Sequence, residues 1–189
     1  ADGVTVRVAG HADERFDRVV LATHADTTLA ILGADADARE REILGAFRFQ
    51  RNLAVLHRDG SFLPRRRAAR ASWNYAADRL RQPGKVSLTY WMNNLQNLET
   101  ERPVLVTLNP AREPAGVVAT IPYDHPQYDL AAIDAQARMH EIQGGRGAWF
   151  AGAWLGHGFH EDGLRSGLEV AAALGAPAPW WRERAAVAG

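Results

Sequence analysis

The chain opens on alternating apolar and polar positions, Val4-Thr5-Val6-Arg7-Val8, whose period of two is that of a strand with one buried face. Residues 10–14 read as a turn and 16–22 as a nearly all-apolar strand, which predicts a hairpin whose second strand is buried on both faces. Helical periodicity follows over 24–32 and 36–47, broken at Gly33. From Phe49 to Tyr123 the pattern is that of strands, at 53–57, 71–75, 86–93, 104–108 and 117–121. Turn signals at Asp59-Gly60, Gln82-Pro83-Gly84 and Asn109-Pro110 predict antiparallel connections and a meander-like sheet. Helical periodicity returns over 130–143, a short strand is expected at 148–152, and a last helix at 163–174 with Asp162 as its cap and Gly175 as its stop. The fold class these elements predict is α+β, built on a mainly antiparallel sheet.

A strand buried on both faces needs a layer on each side, and the short segment before it supplies neither. Together with the absence of a starting Met, this leads us to expect a C-terminal portion of a longer protein. There is no internal repeat and no low-complexity tract. The acidic and basic run at 35–42 reads as a solvated helix face. The arginine cluster at 65–70 reads as an exposed basic loop or, more sharply, as a contact for an anion or a lipid headgroup.

Composition narrows the function classes. The chain has 189 residues, 47% of them apolar, enough for a real core. Its 22 basic and 22 acidic residues cancel, so no overall field draws it to nucleic acid, and no nucleic-acid partner is expected. With no Cys there is no disulfide, thiolate metal site or cysteine nucleophile, which fits a reducing, cytoplasmic setting. The longest apolar run, 170–181, is broken by Pro177 and Pro179 and falls short of the roughly 20 residues of a membrane helix. Lys85 is the only lysine, an arginine bias we read as that of a GC-rich, bacterial genome.

The segment from Trp149 to Gly167 carries the most chemistry. A buried strand ends at Gly152, a glycine-rich loop follows, and a helix begins at small residues. Helix N-termini present unpaired amides and partial positive charge, which suit a phosphate or the electron-rich edge of a ring. His157 and His160 have a spacing that can bind zinc, with Glu161, Asp162, His125 or His140 as further ligands, but such histidines more often line a pocket; no metal is expected. No serine has a nucleophile-elbow context, so a hydrolase is not expected.

Phe150-Ala151-Gly152 followed by Gly158-Phe159-His160-Glu161-Asp162-Gly163-Leu164-Arg165-Ser166-Gly167 resembles the closing motif of the FAD-dependent amine oxidase and phytoene desaturase superfamily. Val19-Val20-Leu21-Ala22-Thr23 similarly resembles the strand by which those proteins return to the FAD domain. Further segments resemble the bacterial predicted NAD/FAD-binding proteins of that superfamily. They are Val55-Leu56-His57-Arg58-Asp59, Ala71-Ser72-Trp73-Asn74-Tyr75, Tyr90-Trp91-Met92-Asn93-Asn94-Leu95-Gln96, Thr107-Leu108-Asn109-Pro110 and Tyr123-Asp124-His125-Pro126.

The resemblance implies FAD as cofactor of the full-length protein, and hydride transfer from a C–N or C–C bond of a small-molecule substrate, with a lipid preferred over an amine. It implies a partner region, the N-terminal half with the G-x-G-x-x-G turn that holds the FAD pyrophosphate. It divides the chain into a returning hairpin of the FAD domain (1–23), a substrate-type domain (24–146), the last FAD-domain strand and helix (147–176) and a tail (177–189). Gly152 would lie near the ribityl or pyrophosphate part. The backbone of His160, Glu161, Asp162 and Gly163 would lie at the pyrimidine edge, favouring negative charge on the reduced ring. Two departures stand out: Ala153 occupies a position where relatives often carry an acid, and Asp162 one where they usually carry glycine. Trp73, Tyr75, Trp91 and His157 are the substrate-pocket candidates; the amides Asn74, Asn93, Asn94 and Gln96 either satisfy buried backbone or orient a polar group. No catalytic residue is singled out. The alternative from another class is a non-catalytic ligand-binding or assembly domain.

Overall fold

The computed structural model describes residues 3–77 and 86–180. The expected turn at Gln82-Pro83-Gly84 and most of the tail lie outside them. Elements run in the order β1 (Val4–Val6), β2 (Glu14–Phe16), β3 (Val19–Leu21), α1 (Ala25–Leu32), α2 (Ala38–Gly45), β4 (Arg48–His57), β5 (Trp73–Ala77), β6 (Val86–Trp91), α3 (Met92–Leu95), β7 (Leu105–Leu108), β8 (Val117–Gln127), α4 (Leu130–Arg138), β9 (Ala148–Phe150) and α5 (His160–Ala173). The class is α+β. Among the described residues no helix is long and apolar enough to cross a membrane.

The chain divides into two compact units, residues 3–49 with 126–180, and 50–125. The helices at both ends of the expected 24–146 region thus pack with the terminal segments. In the first unit, the core joins Leu21 of β3, Ile43 and Leu44 of α2, Phe47, Met139, Phe150 of β9 and Trp154. Helical spacing explains the participants: Glu40, Ile43, Leu44 and Phe47 fall at i, i+3, i+4 and i+7 and are all buried. Asp37 caps α2 in a reciprocal box, its carboxylate accepting from the Arg39 and Glu40 amides while Glu40 accepts from the Asp37 amide. Arg146 also pairs with Glu40, which satisfies a carboxylate only 2% exposed. The 35–42 run is therefore only partly a solvated face.

The N-terminal hairpin differs from the expectation. β1 pairs antiparallel with β2, an exposed strand, while β3 is a separate strand lying parallel to β9, Val19 opposite Ala148 and Leu21 opposite Phe150. Apolar content alone could not separate one strand from two, and the break falls at polar Asp17-Arg18.

The second unit is a five-stranded sheet ordered β5-β6-β7-β4-β8. β5, β6 and β7 form an antiparallel meander as expected, but β4 enters beside β7 instead of beside β5. β8 runs on past the expected end at 121, through Pro122 and Pro126; it is an edge strand, where a residue without an N–H is tolerated.

Candidate functional site

The first unit builds its site from the segment after β9. Gly152 donates its amide to the Ser166 hydroxyl (2.9 Å), which in turn donates to the Gly163 carbonyl (2.8 Å), tying the strand's end to α5. A Cβ on Gly152 would run into the Trp154 indole, whose Nε1 donates to the Thr23 carbonyl at 3.0 Å. Gln136 of α4 donates to the carbonyls of Trp154 (2.8 Å) and Gly156 (2.7 Å). Beyond the end of α4, Gln143 accepts the Phe150 amide and donates to its carbonyl.

α5 begins at His160, three residues before the expected start, and Asp162 is its third residue rather than its cap. The reason lies in the side chain. Asp162 turns back beneath the loop, and its Oδ2 accepts the amides of His157 (2.9 Å) and Phe159 (3.0 Å), while Oδ1 accepts from Arg165 (2.8 Å). The Phe159 amide, above all, holds its carboxyl below the usual carboxylate range, with the His157 amide and Arg165 adding to the effect. The carboxylate thus does from inside the helix what a cap does from outside. The C-terminus is as expected: Gly175, at φ +84°, donates to the Ala172 carbonyl and Ala176 to that of Ala171, a left-handed cap closed by two bonds.

These bonds select which donors remain. The Asp162 and Gly163 amides are used by the Phe159 carbonyl. Among the described residues, the His160 and Glu161 amides have no protein acceptor. Both residues, and His157, are exposed. Two glycines are required by the packing of the turn: a Cβ on Gly156 would strike the Asp162 carboxyl, and one on Gly158, at φ +87°, the Tyr128 hydroxyl. Burial, and then the Asp162 carboxylate, push the Tyr128 phenol up from its ordinary value. A Cβ on Gly163 would sit 3.6–3.9 Å from Ala153, in ordinary contact. Among the described residues no group of three or more His, Asp or Glu side chains is placed to hold a metal ion.

Within the first unit the structure therefore brings together Gly152, His157 and 160–163. Trp73, Tyr75 and Trp91 belong to the second unit. Trp73 and Tyr75 share one face of β5 with Tyr90 across the register, and the Trp73 and Tyr90 rings meet edge to face at 5.9 Å. Trp91 projects from the opposite face, where its Nε1 donates to Asn93 at 3.1 Å. Asn74 bonds both the amide and the carbonyl of Ala71, and Asn93 takes the Val104 amide while donating to Thr100 and Arg102, so both satisfy backbone.

On that second face lies a buried polar row absent from the expectations. His57 is fully buried; its Nδ1 accepts the Asp59 amide (3.2 Å), which leaves Nε2–H to donate to Thr107 (2.7 Å), and Thr107 meets Thr89 at 2.9 Å. Burial lowers the His57 pKa against the pull of Asp59. Gln136, Gln143, Thr23 and Ser166 were missed too.

No protein-family model matches the chain, and no curated protein sequence does. Solved structures match it in fold. A CLA-producing fatty acid isomerase from P. acnes superposes with a TM-score of 0.61 at 15% identity, over 91% of this chain and 44% of that one. A protein assigned as a protoporphyrinogen oxidase from Exiguobacterium sp. 255-15 superposes with a TM-score of 0.56 at 15% identity, over 90% of this chain and 45% of that one. The chain thus spans less than half the length of these two structures, and what it shares with them is the fold.

Proposed function

We propose that this chain is the C-terminal portion of a flavin-dependent oxidoreductase resembling amine oxidases and desaturases, and that the loop 152–159 with the first turn of α5 forms the contact to the pyrimidine edge of FAD. The observation that carries the reading is the pair of amides on His160 and Glu161 without an acceptor among the described residues, at the head of a 14-residue helix where the Asp162 carboxylate takes the His157 and Phe159 amides and the Phe159 carbonyl takes those of Asp162 and Gly163. The sequence resemblance brings in the flavin, and the likeness in fold to two enzymes supports it. The residues present fit the group: the donors belong to exposed residues, and no acid other than the paired Asp162 and the exposed Glu161 stands in the turn.

FAD, when bound, accepts a hydride from the substrate. The chain's own part is to hold. The two amides and the helix dipole favour negative charge on the ring edge, and Asp162 keeps the turn in shape. We place a fatty-acyl compound as substrate, and the rest of the FAD site in a region N-terminal to this chain.

The test uses the longer protein. Gly163→Ala fits against Ala153, whereas the branched side chain of Gly163→Val forces the helix start away from it. Since a donor to developing charge is worth about 2.7–4 kcal/mol in comparable anion holes, Gly163→Val should lower flavin occupancy or the flavin midpoint potential, and His160→Ala, which keeps its amide, should do so less. Unchanged flavin content and potential in folded Gly163→Val would remove α5 from the flavin.

A further inference from the structure

The loop 64–70 of the second unit carries Arg65, Arg66, Arg67 and Arg70, and no acidic residue occurs anywhere from Gly60 to Ala77. Arg65, Arg66 and Arg67 are exposed and, among the described residues, their side chains have no hydrogen-bond or ion-pair partner. This is unlike the chain's other arginines at Arg39, Arg48, Arg112, Arg138 and Arg146, each of which faces a carboxylate. The loop is nevertheless well built. Leu63 is buried at its base, a 3-10 turn spans Arg67–Ala69, Arg70 donates to the Pro64 carbonyl at 3.0 Å, and Asn74 ties down Ala71 from both sides. Like charges held together without counter-charge are a cost to the free protein, one that an anionic partner relieves.

What stands beside the arginines points to the kind of partner. Three residues after Arg70, a span of at most about 10 Å, the edge strand β5 begins with Trp73, 60% exposed, and two residues on Tyr75 is 71% exposed. Large amphipathic rings next to a basic loop are the composition of interfacial anchors, the rings seated at headgroup level and the guanidinium groups on the phosphates. We propose that the 64–70 loop, with Trp73 and Tyr75, docks this protein on the surface of an anionic phospholipid bilayer, lying on the membrane and not spanning it. The proposal does not depend on the flavin reading and can stand or fall separately.

The test is co-sedimentation of the full chain with vesicles of phosphatidylcholine alone and of phosphatidylcholine mixed with phosphatidylglycerol. Binding is expected to the mixed vesicles only, and to weaken as salt is raised. Each basic residue near such a surface is worth about fivefold in partition, so the combined Arg65→Gln, Arg66→Gln and Arg67→Gln variant should bind about a hundredfold less. Those three side chains make no hydrogen bond or ion pair among the described residues, and an unchanged melting curve will show the fold intact. Trp73→Ala should weaken binding while leaving its salt dependence in place. Equal binding to both vesicle types, or a triple variant that binds mixed vesicles as well as the parent, would overturn the proposal. So would arginine-dependent binding of glycerol phosphate or of a single-stranded RNA without any binding to vesicles.

Discussion

Replacing Asp162 tests the construction of the candidate site most directly. Its carboxylate is largely buried and takes two backbone amides on one oxygen, Oδ2, and Arg165 on the other. A hydrogen bond to a charged group is worth about 1.5–3 kcal/mol, and a half-exposed ion pair such as that with Arg165 adds about 0–1 kcal/mol. Asp162→Ala should therefore cost about 3–7 kcal/mol, because the His157 and Phe159 amides lose their acceptor. Asp162→Asn can place its carbonyl oxygen where Oδ2 stands and keep both amides bonded at about half the strength, at a cost of about 1.5–4 kcal/mol. Hydrogen exchange at the His157 and Phe159 amides is the assay of choice, since it reads the loop alone in a chain of two units. Each 1.4 kcal/mol appears as a tenfold loss of protection, so Ala should lose at least about tenfold more than Asn. Gly156→Ala should mimic the loss, as its Cβ would displace the same carboxyl. The sign with pH follows: the folded pKa lies below the unfolded value of about 3.9, so protection is full at neutral pH and declines as pH falls through and below that value. Equal exchange in the Ala and Asn variants, or unchanged exchange in both, would refute the assignment of Asp162 as the organiser of the turn.

His57 is buried neutral with its pKa lowered, so the unfolded chain takes up a proton first, and stability should fall as pH drops below about 6.5; urea midpoints from pH 7 to pH 5 should show this limb, and His57→Phe should lack it. Gly158→Ala, at φ +87° and against Tyr128, should cost at least about 1–2 kcal/mol in thermal or urea melts, whereas Gly145→Ala, with open space around it, should be within about 0.5 kcal/mol of the parent. Titrated with FAD by calorimetry, the 189-residue chain should bind no more tightly than about tens of micromolar, roughly −6 kcal/mol, because it lacks the glycine turn for the pyrophosphate; stoichiometric flavin retained through gel filtration would contradict this.

What sequence could determine here was local. Period and punctuation placed α1, α2, α4, the core of every strand from β4 to β9 and the glycine stop of α5, because each depends on neighbours within a turn or a hairpin. The glycine-rich loop after β9 and the helix that follows it were legible for the same reason: they are contiguous in sequence. Tertiary structure decided what depends on distant residues. β3 finds its partner 129 positions away in β9, from Val19 to Ala148, and a three-residue apolar run carries no record of which strand it will join. β4 lies beside β7, where its buried His57 meets Thr107, a pairing invisible until the sheet is assembled. The start of α5 was misplaced since Asp162 looks like a cap by its type and position, and only the folded loop shows its carboxylate turned back onto the amides of His157 and Phe159. A side chain's direction is settled by which donors surround it, and those donors are brought together by the fold.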